Sequence, residues 1–316
     1  KLLLSSDGPL LDSYHCQQFP LELHRPNLAF LLRTHLNHPA NEDVLALLLP
    51  RILALGPKGH RLMKLLCSKL FDPSRYSNRD PNIRHRGAFG TVYKAQLTSE
   101  PFEVAVKVID LPKGLTDAST LLDLYTEVAI MEALQEEARV CYLYDYGVDA
   151  NHCYLVTAWY AMSLKEWRRR QAKDTLARQT ELLVNIGSRV IQAVCCLHQL
   201  GVVHYDLKCD NVLLLPLTGD GSEESVVSQR SSSPSFDVVL ADFGESKIFA
   251  PSQDACTVRN RGTEYNKSPE MLTVANASRK EKASYDRRKR GGAGKPSDVW
   301  GLACMLYELL TGEFLF

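Results

Sequence analysis

Eight consecutive residues, His204-Tyr205-Asp206-Leu207-Lys208-Cys209-Asp210-Asn211, and a later triplet, Asp242-Phe243-Gly244, gather three carboxylates, an amide and a lysine between apolar runs. Asp206 can accept a proton from a hydroxyl nucleophile. Asn211 and Asp242 are oxygen donors suited to Mg²⁺, and Lys208 can balance charge on a phosphoryl group in transit. A lone His-x-Asp or Asp-Phe-Gly is a weak signal, but the ordered combination is hard to reach by chance. The chemistry these residues would do together is phosphoryl transfer to a hydroxyl.

A second group lies upstream. Gly87-Ala88-Phe89-Gly90-Thr91-Val92 bends between two strand-like runs. Glycine lets the backbone approach a phosphate closely, and amides exposed at such a turn can donate to its oxygens. Val104-Ala105-Val106-Lys107 sets one lysine in an apolar strand, where an unpaired ammonium is costly and an anion is needed. Glu127, in the helical run Glu127-Val128-Ala129-Ile130-Met131, can supply that anion from a helix packed over a sheet. Lys107 alone would read as a snorkelling structural residue; together with Gly87, Gly90 and Glu127 it reads as part of a phosphate site.

The elements that must position these groups are legible in the pattern. Alternating runs at Thr91 to Leu97 and Phe102 to Ile109, a helical pattern from Ala118 to Ala138, and strand-like runs at Val140 to Tyr146 and Cys153 to Trp159 predict a small sheet with one helix. Ser163 and Glu166 have the spacing of a capping box. From Thr180 to Gln199 the residues Leu183, Ile186, Val190, Val194 and Leu197 recur on one helical face, so the second half is expected to be mostly helical. Leu217 to Phe236 is rich in Ser, Gly, Asp and Glu and is expected to be a surface loop. Ala275 to Lys295 reads as a basic loop, either merely solvated or an anionic docking or nuclear-import segment.

Residues 1–80 are Leu-rich, with helical spacing at 43–55 and 59–70, and are expected to form a helical extension that caps the next domain or meets a protein partner. The polar stretch from Arg75 to Asn82 marks the boundary to a second domain at 81–316. With 316 residues, 45% of them hydrophobic and 23% charged, the chain has the composition of a globular protein with a real core. Lys plus Arg and Asp plus Glu both total 37, so no net field favours nucleic acid or an anionic membrane, and neither is expected as a partner. Nine scattered cysteines without a C-x-x-C read as reduced thiols of a cytosolic or nuclear compartment.

These blocks, in this order, resemble the eukaryotic protein kinase family from about Ile83 to Phe316. The resemblance implies an α+β, bilobal protein-kinase-like fold, with a small antiparallel β-sheet lobe carrying one helix and a mainly helical large lobe. It implies ATP and Mg²⁺, with Asp206, Lys208, Asn211, Lys107 and Glu127 as the catalytic set and Asn211 and Asp242 as metal ligands. Leu155-Val156-Thr157-Ala158-Trp159-Tyr160 resembles the family's gatekeeper and hinge, with Thr157 as gatekeeper and the Ala158 carbonyl and Tyr160 amide at the adenine edge. Val92, Ala105 and Leu213 would sandwich the adenine. Leu143, Met131, His204 and Phe243 would form a second stack, anchored by Asp298. Arg261-Gly262-Thr263 and Ser268-Pro269-Glu270 resemble the end of the activation segment, and Asp298 to Ala303 the start of the long buried helix. Lys208, two residues after Asp206, resembles the serine/threonine pattern, so the implied acceptor is a Ser or Thr hydroxyl of a protein.

Several residues depart from the family's pattern. His85 stands where the first glycine of the Gly-rich loop is expected, Tyr205 replaces the Arg of H-R-D, and Ser268 occupies the usual Ala position. Tyr205 removes a cation that commonly binds an activation-segment phosphate, so activity is expected not to require a phosphate on Ser252 or Thr257. These departures keep open a second reading, a pseudokinase serving as a nucleotide-binding or scaffolding module. A kinase acting on a small alcohol is a third. Only Thr311 to Phe316 follows the helical run, so the large lobe is expected to be incomplete, leaving Leu302, Met305, Leu306 and Leu309 partly covered and Glu270 without a cationic partner.

Overall fold

The computed structural model describes residues 71–77, 84–87, 90–99, 102–110, 126–128, 130–135, 137–148, 152–160, 162–171, 180–217, 235–249, 256–276 and 292–316. The helical stretches expected at 43–55 and 59–70, and most of the two loops expected at 217–236 and 275–295, lie outside them. The described residues divide into two compact units, one holding those from 71 to 135 and Tyr142–Trp159, the other holding Glu137–Cys141 and those from Tyr160 to Phe316.

The first unit is built on an antiparallel sheet of β1 (Tyr76–Ser77), β2 (Arg84–Gly87), β3 (Gly90–Leu97), β4 (Glu103–Asp110), β5 (Leu143–Val148) and β6 (His152–Ala158). The strands run in the order β1-β3-β4-β6-β5, with β2 also paired to β3. Side chains alternate between faces. One face carries the buried cluster of Ala95, Val104, Val106, Tyr154 and Val156, closed by Phe71 and Tyr76. The Phe71 ring stacks on Tyr154 with centroids 3.8 Å apart. On the same face the buried Asp145 carboxylate accepts from the Tyr76 hydroxyl at 2.9 Å and from Arg75 at 2.8 Å. Desolvation, with the Asp145 carboxylate next, holds the Tyr76 phenol well above its usual range. Tyr76 and Ser77 pair with β3, and the Phe71 ring packs on the buried face of the sheet. The helix α1, residues 126–128 and 130–133, buries Val128, Ile130 and Met131.

The second unit is mostly helical, as expected. In α2 (Leu164–Arg170) the Ser163 hydroxyl accepts from the Glu166 amide at 3.2 Å, the N-cap half of the predicted capping box. The helix α3 (Thr180–Gln199) buries Leu183, Ile186, Val190, Val194 and Leu197, the face its spacing predicts. By length and composition α3 could cross a bilayer; its apolar stripe is instead the buried side of a core helix. Two short pairings follow from β7 (Val202–Val203), β8 (Val212–Pro216), β9 (Phe236–Leu240) and β10 (Lys247–Ile248): β8 pairs with β9 and β7 with β10.

The last helices are α4 (Pro269–Asn276) and α5 (Lys295–Thr311). Ser268 caps α4: its hydroxyl accepts from the Met271 amide at 3.2 Å and bonds to Ser297 at 3.0 Å, and Ser297 donates to Glu270 at 2.7 Å. Glu270 thus has a hydroxyl partner, which the sequence reading did not foresee. On α5, Leu302 and Leu306 are partly exposed, whereas Met305 and Leu309 are fully buried, a correction to the expected partial cover. The reason is close packing from two sides. α3 approaches so tightly that a Cβ on Gly187 would lie 2.9 Å from Leu306. The buried Arg168 closes the end of α5 by donating to the Leu309 carbonyl at 2.6 Å, a cation at a helix C-terminus.

Glu308, also on α5, is buried, and desolvation pushes its carboxyl above its usual value of 4.5. The folded state then disfavours the charged form, so this residue's contribution to stability declines as pH rises from about 4.5 upward. Glu308→Gln removes the charge, and its thermal midpoint is expected to exceed that of the wild type at pH 7. The gap should narrow as pH falls toward 4.5. Thermal unfolding across that range checks both statements.

Candidate active site

The residues before Asp206 are held by one buried carboxylate. Asp298, in the first turn of α5 and 1% exposed, accepts from the His204 amide at 2.8 Å, the Tyr205 amide at 2.7 Å and His198 Nε2 at 2.9 Å. This grip holds Tyr205 at φ 65, a left-handed conformation that a bulky residue adopts only when its surroundings impose it. The His204 ring lies 5.2 Å from that of Phe243. Its Nε2 meets the Ala241 carbonyl at 3.1 Å and its Nδ1 accepts from the Asp206 amide at 3.3 Å, so the ring carries its proton on Nε2.

Asp206 is the centre of the network. Its Oδ1 accepts from the Thr263 amide at 2.9 Å and the Thr263 hydroxyl at 2.6 Å; its Oδ2 accepts from Lys208 at 2.7 Å and Asn211 Nδ2 at 3.1 Å. Lys208 also donates to the Thr263 hydroxyl at 2.8 Å. Thr263 was not among the site residues read from the sequence. The signal was present in the Gly262-Thr263 pair: Gly262 has φ 78, and a Cβ there would collide with the Tyr205 carbonyl, so only glycine brings Thr263 to the carboxylate.

Asn211 spends its Nδ2 on Asp206, including the Asp206 carbonyl at 2.8 Å, which leaves Oδ1 as its remaining acceptor. The Ala241 amide donates to the Asn211 carbonyl at 3.0 Å, which places Asp242 one residue beyond the tie. Asp242 is exposed, at φ 59, and the buried Phe243 and Gly244 follow it. Leu213, half-buried on β8, bridges to Ser163.

The first unit carries the other expected residues. Lys107 donates to both oxygens of Glu127, at 2.8 and 2.9 Å, and Glu127 is 4% exposed. The anion demanded by a lysine in an apolar strand is therefore the one expected. Register sets Val92 opposite Lys107 and Ala105 opposite Thr157, so these four share the sheet face away from the buried cluster. The Ala158 carbonyl accepts from the Thr157 hydroxyl at 3.3 Å; Tyr160 begins the second unit. Gly87 pairs with Gly90 at the β2–β3 end, and His85 sits in the ladder opposite Val92. A Cβ on Gly90 would run into the Val108 carbonyl of β4, so this glycine has a packing reason as well.

Among the described residues there is no cluster of three or more His, Cys, Asp or Glu side chains able to hold a metal. Asn211 and Asp242 offer two hard oxygens, and that donor set fits Mg²⁺, which usually takes one or two protein oxygens and completes its shell with phosphates and water.

The strand-rich unit carries a buried Lys–Glu pair, and the helical unit a loop aspartate held by a lysine, an asparagine and a threonine. The protein kinase domain model matches residues 85–316, and the chain belongs to that family. A protein of Dictyostelium discoideum named "probable serine/threonine-protein kinase" is 42% identical over 99% of this chain, residues before 80 included. Serine/threonine-protein kinase PLK4 of Danio rerio is 28% identical over 72% of the chain, and mitogen-activated protein kinase kinase kinase 1 of Arabidopsis thaliana is 25% identical over 72%. The chain spans 13%, 20% and 31% of those relatives' lengths.

Proposed function

We propose that this chain is an ATP-dependent protein serine/threonine kinase that transfers the γ-phosphoryl group of Mg·ATP to Ser or Thr hydroxyls of proteins. The observation that carries this reading is the Asp206 carboxylate, oriented through both oxygens by Thr263, Lys208 and Asn211. Asp206 orients the acceptor hydroxyl and takes its proton. Lys208 stands beside it to offset negative charge on the transferring group, and Lys107, held by Glu127, pairs with nucleotide phosphate. Val92, Ala105 and Leu213 offer apolar surface to the adenine, and the Ala158 carbonyl and Tyr160 amide its polar edge; Gly87 and Gly90 offer backbone to phosphate. Mg²⁺ would be held by Asn211 and Asp242, and when bound it supplies charge neutralisation across the phosphates. The seven described cysteines are all free thiols, which supports a reducing, cytosolic or nuclear setting.

The test is transfer of labelled γ-phosphate to a generic basic protein, followed by phosphoamino acid analysis. Label on Ser and Thr is expected; label on Tyr alone would contradict the acceptor assignment. Asp242→Asn lowers the charge offered to the cation, so its half-maximal Mg²⁺ concentration should rise about tenfold or more. An unchanged Mg²⁺ titration would remove Asp242 as a ligand.

A further inference from the structure

Tyr205 does more than fill the place of an arginine. Its ring is 8% exposed and packs with Val203, Phe249, Met271, Val274 and Ala293. Its hydroxyl donates to the Ala293 carbonyl at 2.7 Å. That same carbonyl accepts from the Thr257 amide at 2.8 Å, and the Ala293 amide returns a bond to the Thr257 carbonyl at 3.0 Å. Thr257 is 2% exposed, and its hydroxyl accepts from the Arg259 amide at 3.2 Å. Gly292 lies so close that a Cβ would sit 2.6 Å from the Thr257 carbonyl and 2.8 Å from Cys256 Sγ.

Described residues between Lys247 and Thr263 are held at several points. Lys247 and Ile248 pair with β7, the Phe249 amide donates to the Gly201 carbonyl at 2.8 Å, Thr257 pairs with Ala293, the Arg261 guanidinium donates to the Glu245 carbonyl at 2.6 Å, and Thr263 bonds to Asp206. Of these, the Thr257–Ala293 bridge involves residues 292–293, and the Tyr205 hydroxyl ties that bridge to the loop carrying Asp206. All the groups in this staple are neutral, so it holds Thr257 against Ala293 without a phosphate. Adding one to Thr257 would require opening the buried bridge.

We propose that Tyr205 is a positioning residue: through Ala293 and Thr257 its hydroxyl holds the segment leading to Thr263 in the register that presents the protein acceptor to Asp206. The effect on turnover rests on the kinase reading above, whereas the effect on the segment's order does not. Tyr205→Phe removes only the donor. Amide hydrogen exchange at Thr257, Ala293 and Thr263 should then quicken about tenfold, the scale of one buried hydrogen bond. The KM for the acceptor protein should rise several-fold while the KM for ATP stays put. Gly292→Ala strains the same bridge from the other side and should give the same pattern. The double variant should be little worse than the poorer single one, because both act on one bridge. Unchanged exchange in Tyr205→Phe would overturn the proposal, as would faster exchange with an unchanged acceptor KM, the signature of a bond that is only structural. If the wild type transfers no phosphate, the kinase reading fails, and exchange at Thr263 alone decides the staple: quickened together with Thr257 it stands, unchanged it falls.

Discussion

Lys107→Met is expected to cut phosphoryl transfer by about 10²- to 10³-fold, the scale of losing one positioned electrostatic contact in a reacting site. Methionine keeps much of the lysine stem's volume but cannot pair with phosphate. The structure adds a second consequence. Glu127 is 4% exposed and receives Lys107 on both oxygens, so methionine also takes the ammonium away from a buried carboxylate, and removing one partner of such a pair is strongly destabilising. The two effects separate in the double variant Lys107→Met/Glu127→Gln. Its thermal midpoint should recover toward wild type, because the buried charge is gone, while transfer stays lost. Activity that returned with stability would show that Lys107 matters only for packing.

Asp298→Ala is expected to have the largest effect on stability. It deprives the His204 and Tyr205 amides and His198 of their shared acceptor. Each buried donor left unpaired costs about 1–3 kcal/mol, against a total stability of about 5–15 kcal/mol for a domain. It also releases the left-handed Tyr205, so Asp206 would lose its fixed direction even in the molecules that fold. Asp298→Asn keeps one acceptor oxygen and should fall between the two. Thermal unfolding of the three proteins should rank wild type above Asn above Ala, with Ala at least about 10 °C below wild type. An alanine variant within a few degrees of wild type would show that water or another group satisfies these amides.

Much of this was legible in the sequence, for reasons that particular residues make plain. Lys107 announced its partner because a charge in an apolar strand must be paired, and Glu127 was the anion at helical distance on the run that packs over the sheet. The spacing of α3 predicted its buried face residue by residue. Asp206, Lys208 and Asn211 were found because they sit within one short run. Thr263 was missed because its role arises from a chain reversal at Gly262, and neither composition nor periodicity records which distant loop a turn delivers. The Ser268–Ser297–Glu270 chain of hydroxyls joins residues far apart in sequence, and the fold alone brings them together.

The measurement that most directly tests the central claim is transfer of labelled γ-phosphate from Mg·ATP to a generic basic protein by wild type beside Asp206→Asn, both shown to be folded by thermal unfolding. Asparagine keeps the shape and one acceptor oxygen but cannot take the proton, so wild type should transfer and the variant should fall by at least about 10²-fold. Equal transfer by both, or transfer by neither, would contradict the assignment of Asp206 as the group that orients and deprotonates the acceptor.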